Sequence, residues 1–314
     1  MTRKNLILLH RGPRYENDFR EIGERVHALD PSITVIYLSA GLDAKIPDPE
    51  WQFPSLTVAM CEVFKLPIKR GTVLKNHLID KFGQQDILRR HHIATPMAMP
   101  FHFGMKLDPI LFGDFVILKP LDPRLGSHGQ GIRVLRRARA EAITPSDFAE
   151  DHPIIQSPKG YIVQRFVYTG EYPNTYRVTT FLGEPLFAFG ARSTVQSPPL
   201  DASDHDIEAG GFSQKFDSVL TFEKREDLLA LARNAAAAFK DIPLLGMDLV
   251  RDARTGKDFV LEVNPGGNTW HFSSEMWEGR HREDPGLRAV MLEQFSAFDV
   301  AAKMLVDHVH RQAS

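Results

Sequence analysis

A chain of 314 residues has room for a large core and for two or three compact units. Its 43% hydrophobic and 25% charged residues are those of an ordinary folded protein, and a formal net charge of −2 excludes any general electrostatic attraction to nucleic acid or anionic membrane. The single cysteine, Cys61, excludes a disulfide within the chain and any CxxC or Cys/His metal signature.

The chain opens on a basic residue and the apolar run Leu6 to Leu9, which His10 and Arg11 interrupt. That run is too short for a secretory segment but suits a buried strand. No stretch approaches the roughly 18 apolar residues needed to span a bilayer, so a cytoplasmic location with no membrane partner is expected. Asn5 to Leu9 therefore reads as the first strand and Tyr15 to Leu29 as a helix. Ile33 to Leu38 reads as a second strand, Ala40 to Pro54 as a turn-rich connection and Leu56 to Ala59 as a third strand. This βαβ beginning predicts a small parallel sheet. The absence of GxGxxG after the first strand argues against a dinucleotide site. His10, Arg11 and Gly12 fall at the carboxyl end of that strand, where open α/β sheets bind ligands, although an ordinary surface loop fits them as well.

From Leu74 to His91 the spacing predicts a helix that stops before Ala94-Thr95-Pro96. Strands are predicted over Phe115 to Leu118, Gly131 to Leu135, Tyr161 to Val167, Tyr176 to Leu182 and Leu186 to Phe189, the last two separated by the turn Leu182-Gly183-Glu184-Pro185. A helix follows with Leu228, Leu231, Ala232, Ala235, Ala236 and Phe239 on one face. After two more strands, Leu287 to Val309 closes the chain as an amphipathic helix. Ser193 to Gly211 is polar and without periodicity, which predicts a mobile loop.

The chemistry concentrates in three places. In Leu244 to Asn264, Arg254-Thr255-Gly256 marks the turn of a hairpin. A loop of Ala253 to Lys257 would pair Asp252 with Asp258, and the same register sets Asp248 opposite Glu262, with Asn264 two residues on. The inner face of the second strand would then carry Phe259, Leu261 and Val263. The other face would hold two carboxylates and an amide within roughly 5–8 Å of one another. Such oxygen donors suit Mg²⁺, and by themselves they suit a solvent-facing hairpin equally. In Phe115 to Gly131 a strand ends at Lys119, ahead of a loop with Gly126, Gly129 and Gly131. Glycines let backbone N–H groups approach phosphate oxygens, and Lys119 adds a point charge, but a plain hairpin turn has the same composition. The lysine precedes the glycines, so this is no Walker A motif. In Tyr161 to Glu171 a buried strand runs into a turn at Thr169-Gly170, either as a core strand or as a link between two lobes facing a nucleotide.

Taken in order, these pieces resemble the ATP-grasp superfamily, in particular its D-alanine–D-alanine ligase, glutathione synthetase and ribosomal-protein glutamate-ligase branch. Asp80-Lys81, Ile87-Leu88 and Ile93 to Pro96 are similar to the family's "DK…LL…GIPxP" entry to the central lobe. The resemblance implies an α+β ATP-grasp fold: an N-terminal α/β pre-grasp domain over 1–75, a central lobe over 76–164 and a C-terminal lobe with an antiparallel sheet over 165–314. It implies that Lys81 and Lys119 contact nucleotide phosphates and that Gly126, Ser127, Gly129 and Gly131 form a phosphate lid. Gln164 stands in the place of the hinge glutamate, Arg165 to Val167 complete the hinge, and Glu171 matches the ribose-binding carboxylate. Asp248, Glu262 and Asn264 match the metal ligands in order and type, with Mg²⁺ or alternatively Mn²⁺ as the ion. Where several relatives carry an arginine two residues before that aspartate, this chain has Gly246. Arg177 and Arg192, on strands expected to face the cleft, are the catalytic candidates to replace that charge.

The implied activity is ATP-dependent carboxylate–amine ligation through an acyl phosphate, on small-molecule or peptide substrates. A small-molecule kinase or a non-catalytic nucleotide-binding protein on the same fold are the alternatives. Trp270 and His271, after Asn264, match no substrate pattern, and a homo-oligomer is left open.

Overall fold

The computed structural model describes residues 3–10, 12–39, 48–60, 71–121, 131–209 and 218–314. Three sheets follow one another along the chain. The first is a parallel sheet of β1 (Lys4–His10), β2 (Ile33–Ser39), β3 (Ser55–Ala59) and β4 (Thr72–Lys75) in the order β2-β1-β3-β4. Leu6 and Leu8 of β1 enter one core and Ile7 and Leu9 another, the two-sided burial that makes a parallel strand continuously apolar. Helix α1 (Pro13–Leu29) covers one side through Phe19, Ile22 and Val26.

The helix expected from Leu74 to His91 is shorter, and its first residues are strand. Leu74 is buried in β4 beside β3, and α2 (Lys81–Arg90) begins only where the Asp80 side chain accepts a hydrogen bond from the Gly83 N–H at 2.8 Å. The second sheet is antiparallel, in the order β5-β8-β6-β7, from β5 (Ala98–Pro100), β6 (Phe115–Pro120), β7 (Arg133–Arg136) and β8 (Tyr161–Arg165). The short helices α3 (Pro109–Phe112), α4 (Arg137–Ala142) and α5 (Pro153–Gln156) lie between its strands. The third sheet holds β9 (Asn174–Phe181), β10 (Glu184–Ser193), β11 (Ser218–Thr221), β12 (Leu244–Arg251) and β13 (Asp258–Pro265), all antiparallel, in the order β11-β10-β9-β12-β13.

Part of the predicted mobile loop after β10 is ordered: it contains α6 (Asp204–Ala209), which lies against β7 of the second sheet. Arg136 holds it through the Asp204 carboxylate and the Leu200 and Ala202 carbonyls, and Glu208 bonds back to Arg139. Helix α7 (Glu226–Ala238) packs on the third sheet. The predicted closing helix is also two, α9 (Leu287–Gln294) and α10 (Ala297–Gln312), preceded by α8 (Glu278–Glu283). The break falls at Ser296, whose φ of 54° is left-handed and cannot continue a helix.

The chain end returns to its beginning. Helix α10 packs along α1, and Thr72 donates to the Gln312 carbonyl at 2.7 Å. Trp270 is fully buried between Phe19 and Phe298, with ring centroids 5.9 and 6.0 Å away and nearly parallel planes. Its indole N–H donates to buried Asp18 at 2.8 Å, as do the Ser273 hydroxyl at 2.7 Å and Arg288 at 2.8 Å. Trp270 is thus a clamp between α1 and the segment after β13. Asp18→Ala strands the buried indole N–H and is expected to cost about 1–3 kcal/mol, measured by urea denaturation, with Asp18→Asn costing less.

Candidate active site

One face of the third sheet is sealed by apolar packing: Met247, Leu249, Val260 and Val263 meet α7 and Leu88 of α2. Asp248 pairs with Glu262 across β12 and β13, as the hairpin register predicts, and Asn264 follows two residues on. Beyond that pair the predicted register fails. An extra residue in β13 makes Leu249 face Val260 and Arg251 face Asp258, so Asp252 does not pair with Asp258. Such a bulge switches the side of every residue past it. Val260 therefore joins Val263 in the helix-side core, while Phe259 and Leu261 pack with Val167 and Val250 in a separate cluster. Asp252, freed from the ladder, closes the turn by accepting from the Arg254 and Thr255 N–H groups at 2.9 and 3.2 Å.

Arg177 lies opposite Asp248 on β9 and grips it with two hydrogen bonds, Nε to Oδ1 at 2.6 Å and Nη2 to Oδ2 at 2.7 Å. Asn264 Nδ2 donates to Asp248 Oδ2 at 3.0 Å. Burial opposes the Arg177 charge, but Asp248 and, behind it, Glu262 outweigh burial and raise the guanidinium's pKa above its ordinary value. A β-carbon at Gly246 would fall 3.0 Å from Arg177 Nη1 and 2.6 Å from Thr269 Cγ2. The space over Gly246 is therefore filled by the arginine of the neighbouring strand.

β13 is an edge strand, and α2 with the residues after it covers that edge. Gln84 accepts from the Val263 N–H at 3.0 Å, Gln85 donates to the Leu261 carbonyl at 3.2 Å, and the Val260 N–H donates to the Ala94 carbonyl at 2.8 Å. The two glutamines bracket Glu262. They share a helix face with Lys81, whose Nζ stands 3.9 Å from Glu262 Oε1. Sequence reasoning missed Gln84 and Gln85; the available signal was two adjacent amides on a helix, buried among apolar neighbours.

On the second sheet Lys119 is buried and donates to Gln164 Oε1 at 2.8 Å, so the amide at the hinge position serves as the lysine's acceptor. Arg165 points away from that pair, as the next residue of a strand must. The Val167 N–H makes no hydrogen bond to a described residue, whereas the N–H groups of Arg165 and Phe166 donate to the Met97 and Phe115 carbonyls. Gly131 has φ 71°, and a β-carbon there would lie 2.7 Å from the Tyr161 hydroxyl, which accounts for the glycine without a ligand. Gly126, Ser127 and Gly129 lie outside the described residues.

One expected member, the catalytic candidate Arg192, is not brought to the Asp248 cluster. Arg192 falls on the opposite sheet face from Arg177, because Arg177 pairs with Phe189 and Arg192 is three residues further on. It is exposed, with its guanidinium 5.0 Å from the Tyr172 ring centroid. Glu171 is exposed, and its carbonyl accepts from the Ser197 N–H at 2.7 Å.

His271 is buried against Trp277, ring centroids 4.3 Å apart, and its Nδ1 has no hydrogen-bond partner among the described residues. Burial, reinforced by Arg177, His281 and Arg280, holds its pKa well below 6.5. The folded state therefore keeps it neutral while the unfolded chain takes up a proton below about pH 6.5. Its contribution to stability is constant above that pH and declines below it, by up to about 1.4 kcal/mol per pH unit. Urea midpoints of wild type and His271→Phe should diverge below pH 6.5 and run parallel above it, with the variant losing less on acidification.

The donor set fits Mg²⁺. Two carboxylates and an amide are all oxygen ligands, few enough for an ion that keeps water and phosphate in its shell. Asp248 already gives both oxygens to Arg177, so Glu262 is the more available carboxylate. Among the described residues no group of three or more His, Cys, Asp or Glu side chains is placed to hold a metal.

No family model matches the sequence, and no curated protein matches it. Solved structures do match, over nearly the whole chain. D-cycloserine synthetase DcsG is 16% identical, with 97% of this chain and 99% of that one covered and a TM-score of 0.51. The macrocyclase MdnC of Microcystis aeruginosa, bound with precursor peptide MdnA, is 10% identical, with 96% and 99% covered and a TM-score of 0.51. An ATP-grasp RimK domain protein of Sphaerobacter thermophilus is 14% identical, with 96% and 98% covered and a TM-score of 0.49. The chain has the ATP-grasp fold, α+β with antiparallel sheets, as its sequence implies. No helix among the described residues is long and apolar enough to cross a membrane.

Proposed function

We propose that this protein is an ATP-dependent carboxylate–amine ligase that binds ATP between the central and C-terminal lobes. The observation that carries this is the Asp248–Glu262 cross-strand pair with Asn264, set beside Lys81 and Arg177 on a fold shared with ligases. A domain division at about residues 75 and 165 accompanies it, since each interval then holds one sheet. DcsG is a synthetase and MdnC is a macrocyclase bound with a peptide, so small-molecule or peptide carboxylates and amines are the proposed substrates.

A carboxylate oxygen of the substrate attacks the γ-phosphorus, the bond to the β–γ bridging oxygen breaks, and ADP leaves. The amine nitrogen then attacks the acyl carbon, phosphate departs with the electron pair of the C–O bond, and the nitrogen gives up a proton. Lys119 and Lys81 offer positive charge to the phosphates, and Arg177 orients Asp248. Asp248, Glu262 and Asn264 would hold magnesium, which would supply charge neutralisation at the phosphate oxygens. The Val167 N–H is the backbone donor available to an adenine edge.

The test is incubation with ATP, Mg²⁺, hydroxylamine and panels of amino acids, small acids and peptides. Hydroxamate formation with stoichiometric ADP supports the ligase. A stable phosphorylated product without hydroxamate identifies a kinase, and the absence of ADP across the panels a binding protein.

A further inference from the structure

On the outer side of the hinge lies an open groove of about 300 Å³ that spans the second and third sheets. Met97 and Phe259 form part of its lining, and it continues onto Ile110 and Leu111, which are 85% and 46% exposed. Ile110 is more exposed than any other large hydrophobic residue described. Contiguous exposed apolar surface of this kind marks interaction sites, whereas single exposed residues do not. Two cations stand in the groove and none of its lining residues is acidic. Lys257 projects from the hairpin turn, with its Nζ 5.3 Å from the Phe259 ring centroid. The Arg165 guanidinium, half-buried, forms no hydrogen bond or ion pair with a described residue, although most arginines of the third sheet are paired. A guanidinium on an open groove with no acceptor among the described residues keeps its donors available to an anion.

We propose that this groove is a docking site for an extended peptide segment that presents large apolar side chains and carboxylates on the same face. Apolar side chains would seat against Met97, Phe259 and Ile110, while Arg165 and Lys257 pair with the carboxylates. A peptide suits the site better than an enclosed small ligand, because the apolar surface runs past the mouth of a shallow cavity. The site does not rest on the ligation chemistry, since Arg165 and the Lys119–Gln164 pair lie on opposite sides of β8.

The experiment measures binding of a fluorescently labelled peptide of paired glutamates and paired leucines, so that each face of the extended chain carries both, to the full chain, by anisotropy, with its lysine–leucine counterpart beside it. The wild type should bind the acidic peptide and not the basic one, less tightly as salt rises. Ile110→Glu and Lys257→Glu, both at exposed positions, should each weaken binding at least about tenfold, and circular dichroism checks that they fold. Binding unchanged in both variants, equal binding of the basic peptide, or no binding to the wild type overturns the proposal. Sedimentation of the same samples gives the remaining outcome: a wild-type dimer that Ile110→Glu dissociates, without peptide binding, assigns the surface to a second copy of the chain and also overturns it.

Discussion

Glu262→Gln should cut ATP-dependent turnover by a factor on the order of 10²–10³ while leaving the fold intact. Glu262 is the less encumbered carboxylate of the pair, because Arg177 already takes both oxygens of Asp248. Its nearest described cation, Lys81, stands 3.9 Å away, and its side chain is 27% exposed, so little folding stability depends on its charge. Glutamine keeps the size and one acceptor oxygen but loses the negative charge that holds a divalent cation against phosphate. Initial rates at varied Mg²⁺, with urea denaturation alongside, separate the two effects. A large loss of stability, or turnover within about twofold of wild type, would contradict the assigned role.

Arg177→Ala carries the largest expected cost in stability. The Arg177–Asp248 pair is mostly buried, with side chains 16% and 14% exposed, and removing one partner leaves a carboxylate shielded from water beside Glu262. Breaking a buried pair in this way typically costs about 3–5 kcal/mol. Arg177→Lys retains the charge but not the two-pronged grip, and should fall between. The metal assignment adds a signature that a structural ion pair lacks. With the guanidinium gone, Mg²⁺ becomes the cation available to Asp248, and saturation to about 100 times its Kd would return about 2.7 kcal/mol. Urea midpoints with and without Mg²⁺ should therefore differ more in Arg177→Ala than in the wild type.

Much of this arrangement was legible in the sequence because it depends on short-range periodicity. Pairing Asp252 with Asp258 across the turn at Arg254-Thr255-Gly256 places Asp248 opposite Glu262, a pair that the structure keeps only because a bulge offsets a one-residue difference in register next to the turn. The same reasoning failed a few residues on, since a one-residue bulge leaves no mark in composition yet moves Phe259 to the other side of the sheet. Long-range pairing was less legible still. Arg177 and Arg192 looked equivalent as arginines on neighbouring strands, and only the β9–β10 register puts them on opposite faces. The role of Trp270 depends on Asp18, 252 positions away, and no local pattern announces that contact. Leu74 followed helical spacing, but pairing with β3 outweighs that weak local preference.

Mg-ATP is proposed to sit on the Asp248–Glu262–Asn264 face, with its phosphates towards Lys81 and Lys119. Crystals grown with Mn²⁺ and a non-hydrolysable ATP analogue test this most directly, since manganese is located by its anomalous scattering. A manganese peak is expected within about 2.5 Å of a Glu262 carboxylate oxygen and in contact with the nucleotide phosphates. A peak and nucleotide bound elsewhere, with Asp248, Glu262 and Asn264 left uncoordinated, would contradict it.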